Sequence, residues 1–117
     1  MKEEYPLFVK WQEILNYLLD KVEKFPRNVR FTVSDRMINL GFDIMEAIVE
    51  GIYTRSRTDI LRRANLYMEK LRIYVRICLE RRYLSVRQYE YLSENILQAG
   101  RMLGGWIKTS EKGKRPV

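Results

Sequence analysis

Arg72 and Arg76 stand four residues apart, so on a helix their guanidinium groups project from one side, one turn apart. A planar fork of N–H donors matches the oxygens of phosphate or carboxylate, and binding such groups is the chemistry these residues suit. Arg62 lies nearby, while Arg63, Lys70 and Arg81 line up on the other flank at spacings of seven and eleven. The segment from Arg55 to Arg82 carries nine Lys/Arg against three Asp/Glu, which is +6 of the +7 net charge. The segment from Lys108 onward adds +3, and everything else sums to −2. Only Asp59, Glu69 and Glu80 are at hand to neutralise the nine cations. Charge concentrated in this way predicts a polyanionic or acidic partner, RNA or DNA foremost.

Other chemistry lacks its residues. Histidine is absent, which removes the commonest general base and the commonest metal ligand together. The lone Cys78 excludes an internal disulfide and a cysteine-based zinc site, and as a nucleophile it has no histidine to activate it. Glu46 and Glu50 share a helix face, but no His completes a di-metal motif. The expectation is a protein that holds something negative and does not catalyse, with no cofactor and no metal. One cysteine fits a reducing, cytoplasmic setting. The charged start Met1-Lys2-Glu3-Glu4 lacks the apolar centre of a signal peptide, and no apolar run is long enough to span a membrane.

The elements that must position the arginines are helical from end to end. Trp11, Leu15, Leu18, Val22 and Phe25 recur at spacings of four and three, which predicts a first helix from about Tyr5 to Lys24, closed by Phe25-Pro26. A second runs from roughly Thr32 to Tyr53, with Ile38, Met45, Ile48 and Ile52 in one row and Met37, Leu40 and Ile44 broadening it. Ser56 and Asp59 offer an N-terminal cap for the third, which reaches about Arg82. Ser85 and Gln88 form a better capping box and start the fourth, marked by Leu92, Ile96, Ala99, Leu103 and Trp106 and ending near Lys108. Four helices with short connections make an all-α, up-and-down four-helix bundle over residues 1–108, followed by a basic, flexible tail over 109–117.

The third helix has two apolar faces. Leu61, Ala64, Met68, Leu71, Val75 and Cys78 form its core seam, and Leu66, Ile73 and Ile77 fall on nearly the opposite side at 100° per residue. Single surface hydrophobes are ordinary, but three in one row predict a subunit interface and hence a homo-oligomer. Gly100 and Gly104 stand four apart, and each costs about 1 kcal/mol of helix propensity against alanine. A close helix–helix or subunit contact would offset that cost. Gly41 and Gly51 invite the same reading.

The run Lys24-Phe25-Pro26-Arg27-Asn28-Val29-Arg30-Phe31-Thr32 and the run Gly100-Arg101-Met102-Leu103-Gly104-Gly105-Trp106-Ile107 resemble the Avd family, the accessory variability determinants of diversity-generating retroelements. Lys70-Leu71-Arg72 and Arg82-Tyr83-Leu84-Ser85 add to the likeness, which extends from about Phe8 to Lys108. The resemblance implies a four-helix bundle assembled into a barrel-like homopentamer with a positive surface. It also implies binding to the element's reverse transcriptase and to nucleic acid, in support of mutagenic retrohoming. Reverse-transcriptase binding would fall on Arg72 and Arg76. Two other functions compete: a four-helix protein of the 23S ribosomal RNA intervening-sequence family, partly echoed by Ala47-Ile48-Val49-Glu50-Gly51, and a helical adaptor holding a partner protein on Leu66, Ile73 and Ile77.

Overall fold

The structure, a computed structural model, describes residues 5–114. Among them are four α-helices and no strand: α1 (Pro6–Val22), α2 (Asp35–Tyr53), α3 (Thr58–Glu80) and α4 (Val86–Lys114). α1 and α3 each pack against both α2 and α4, so the helices stand at the corners of an up-and-down bundle. The core seam of α3 is buried as its spacing predicts, in one hydrophobic core with Trp11, Leu18, Ile44, Ile48, Leu92, Ile96 and Leu103 from the other three helices.

Each helix starts and stops for a local reason. Pro6 occupies the first turn of α1, where its missing N–H has no partner to lose. α1 ends at Val22, and the N–H groups of Lys24 and Phe25 tighten onto the carbonyls of Lys21 and Val22 before Pro26. A 3₁₀ turn (Arg27–Val29) and a π-helical turn (Arg30–Ser34) then lead into α2, which becomes α-helical only at Asp35, not at Thr32. The wider π turn brings Val29 and Ser34, five residues apart, to the buried side together. It thereby sets the phase of α2: Met37, Ile44, Ala47 and Ile48 face the core, and Ile38 and Met45 move to the edge.

α3 starts without the Ser56 cap. Arg57 holds the capping position and its Nε donates to the Thr54 carbonyl at 2.9 Å. Buried Thr58 opens the helix, its hydroxyl 3.1 Å from that of Ser110 on α4. At the other end, the N–H of Tyr83 donates to the Cys78 carbonyl (2.8 Å) and that of Arg82 to Leu79 (3.0 Å), a Schellman closure. That closure needs a left-handed residue, and Arg82 supplies it with φ of 62°. A side chain there carries a steric cost that glycine avoids, so Arg82→Gly stabilises the fold by about 1 kcal/mol, read from urea denaturation. The Ser85–Gln88 capping box forms in both directions, at 3.0 and 3.1 Å.

The segment expected to be a flexible tail is helical as far as Lys114. Three polar contacts hold it: Ser110 to Thr58, Glu111 to Arg62, and the Thr109 hydroxyl to the Gly105 carbonyl. Residues 115–117, the rest of that segment, lie outside the described residues.

Candidate binding face on α3 and α4

All six cations singled out by sequence lie exposed along α3 or just beyond it. Arg72 and Arg76 border the groove between α3 and α4. There Arg72 lines two adjoining clefts, one of about 190 Å³ with Asn65, Glu69, Gly100 and Arg101, the other of about 180 Å³ with Ile73, Arg76, Tyr89 and Ser93. Arg72 is 2.9 Å from Glu69 and Arg76 is 3.9 Å from Glu80, each pair within one helix and open to water. Such surface pairs contribute about 0–1 kcal/mol, so both arginines can change partner at small cost. Arg62 pairs with Glu111.

The other flank is different. Arg63, Lys70 and Arg81 have no carboxylate within ion-pair distance among the described residues; Lys70 lies over Tyr67 (5.8 Å) and Arg81 over Tyr83 (6.0 Å). The Tyr83 hydroxyl raises the pKa of Arg81 further, keeping it charged at every working pH.

Leu66 and Ile73 stand between the two flanks, 53% and 60% exposed, and Ile77 is half-buried. The ridge opposite the core seam is therefore real, and none of the described residues covers Leu66 or Ile73.

Arg101 and Leu97 on α4 also belong to this face, Leu97 being partly exposed beside the groove. Sequence reading passed over both. The available signal was Arg101 inside the Gly-Arg-Met-Leu-Gly-Gly-Trp run, which carries the family resemblance and whose glycines suggest packing, with no role for the arginine. The glycines divide in an unexpected way. A methyl on Gly41 would sit 2.7 Å from Leu15, and one on Gly51 would sit 2.8 Å from Leu61 and 3.2 Å from Trp106, so those two do admit close packing. A methyl on Gly100, Gly104 or Gly105 would meet nothing within 4 Å, so no contact among the described residues accounts for them.

No group of three metal-ligating side chains occurs among the described residues. Cys78 is buried, and burial pushes its thiol up to about 11, which keeps it protonated at neutral pH. No helix among the described residues is long and apolar enough to cross a membrane.

A family model described as bAvd-like matches residues 7–110. No curated protein matches the chain. Among solved structures, the chain is similar to a protein of unknown function from the S23 ribosomal protein family of Bacteroides thetaiotaomicron VPI-5482. The TM-score is 0.71 at 19% identity, over 86% of this chain and 96% of that one, a likeness of fold.

Proposed function

The chain belongs to the bAvd-like family, and from that membership we propose that it is a non-catalytic accessory subunit of a diversity-generating retroelement. In this reading it works in the cytoplasm as a basic homo-oligomer, pentameric by family resemblance. It binds the element's reverse transcriptase and nucleic acid and so supports mutagenic retrohoming. The observation that carries the reading is the α3 stripe: six exposed cations, among which Arg63, Lys70 and Arg81 have no acidic partner among the described residues. Arg72 and Arg76 receive the polymerase or its RNA, because their groove with α4 adds Arg101 and an apolar edge at Ile73 and Leu97.

Purification of the tagged chain from its native cells tests this, with identification of the protein and nucleic acid that co-elute. A reverse transcriptase with template-repeat RNA is the expected result. Ribosomal RNA, or an unrelated protein with no polymerase, rejects it in favour of the intervening-sequence or adaptor function.

A further inference from the structure

We propose that the groove at the π turn grips one unpaired base of a single-stranded RNA, with Phe31 as the stacking surface. This rests on the nucleic-acid reading above and adds a site apart from the basic stripe, one that tells a single strand from a duplex.

Phe31 is 87% exposed, more than any other large apolar side chain among the described residues. A lone exposed hydrophobe is ordinary. This ring, however, lines a groove of about 760 Å³ between α1 and α2, with Leu19, Val22 and Ile38 as its apolar wall. The π turn (Arg30–Ser34) produces the placement: its wider winding turns Ser34 inward and leaves Arg30 and Phe31 outside. Because α1 packs on α2 and α3 on α4, the groove lies across the bundle from the cleft of Arg72 and Arg101.

The polar groups of the groove are unsatisfied. Ser34 is only 4% exposed, it lines the groove, and its hydroxyl has no hydrogen-bond partner among the described residues. Buried hydroxyls are almost always bonded, so this one calls for a group from outside. Glu23, Arg30 and Asp35 complete the lining, all exposed and none within ion-pair distance of an opposite charge among the described residues. Lys24, Arg27 and Arg36 are exposed on the same stretch, which sets four cations against two acids over residues 23–36.

This mixture selects its occupant. An acidic peptide would meet Glu23 and Asp35, and a basic one would meet the four cations. A nucleotide instead carries a flat π face, an edge with N–H donors, and an anionic phosphate. The phenyl ring takes the face, the Ser34 hydroxyl and the two carboxylates accept from the edge, and Arg30 takes the phosphate. In a duplex each base is stacked on both faces and paired along its edge, so the groove is closed to it. The α3 stripe then holds the backbone of any strand, and the Phe31 groove holds a base.

Fluorescence-anisotropy titration of the full chain with a short, unstructured, labelled RNA tests this, beside the same strand annealed to its complement. The variants are Phe31→Ala and Phe31→Trp. The site is exposed, and circular dichroism is expected to show both folded. Phe31→Ala is expected to weaken binding of the single strand about 10-fold and to leave the duplex unchanged. Its slope of log affinity against log salt should match wild type, since stacking releases no counterion. Phe31→Trp should keep the wild-type affinity, and its added indole fluorescence should fall as RNA binds. Equal affinity of Phe31→Ala and wild type would overturn the site, as would an equal loss on the duplex. So would an added indole that responds to oligolysine and not to RNA. A wild type that binds neither form of RNA would instead reject the nucleic-acid reading itself.

Discussion

Trp11→Ala is expected to remove about 3–5 kcal/mol of folding free energy, the range for emptying a fully buried tryptophan site. The indole has no solvent exposure, and its Nε1–H donates to the Gly41 carbonyl at 2.9 Å, where α1 and α2 pack closely enough that a methyl on Gly41 would collide with Leu15. The variant therefore opens a cavity and unpairs two helices at one point. Against a total stability of about 5–15 kcal/mol for a domain, this is from about a fifth of the fold to all of it. It should lower the melting temperature by roughly 10–25 °C. Trp11→Phe keeps most of the volume and loses the hydrogen bond, so it should fall between Ala and wild type. Calorimetry at one fixed protein concentration reads both values, since association also stabilises. A loss under about 1 kcal/mol for the alanine variant would show that Trp11 does not anchor the α1–α2 contact.

The second large effect is on binding. Replacing Arg72 and Arg76 together with alanine is expected to weaken RNA binding on the order of 100- to 10,000-fold, given about 1.5–3 kcal/mol for each of two charge-assisted hydrogen bonds lost. It should also flatten the dependence of log affinity on log salt by roughly 1.4 for single-stranded RNA, one released counterion per phosphate contact. Stability should hardly move, because the pairs with Glu69 and Glu80 are solvent-exposed. Titration of labelled RNA between low and moderate salt, with circular dichroism and oligomer mass as controls, separates the possibilities. A double variant that unfolds or dissociates would make these arginines structural. A wild-type affinity indifferent to salt would point to the apolar adaptor instead.

The basic stripe was legible because charge and helical phase are both local. Once α3 is a helix with Leu61, Leu71 and Cys78 inward, Leu66 and Ile73 must face out, and the arginines must flank them. The phase of α2 was not legible in the same way. Ile38 and Met45 compete with Met37 and Ile44 for the core, and hydrophobicity cannot rank two apolar rows on one helix. The exposure of Phe31 was not legible for a related reason: it sits in the π turn, whose register does not follow the 3.6-residue period. Helix four was read too short because residues 109–114 have no apolar rhythm; its last turns are held by polar contacts to α3.

By itself, then, the sequence determined the number and order of the helices, the all-α class, the α3 seam and the exposed basic stripe. Each follows from periodicity, capping residues and charge, which act within a few residues of chain. Tertiary structure alone decided where α2 turns its second apolar row, that Arg82 closes α3 in a left-handed conformation, and that Arg101 joins Arg72 across the α3–α4 groove. Those outcomes depend on which surfaces compete for one core and on residues brought together from distant parts of the chain, and neither is encoded locally.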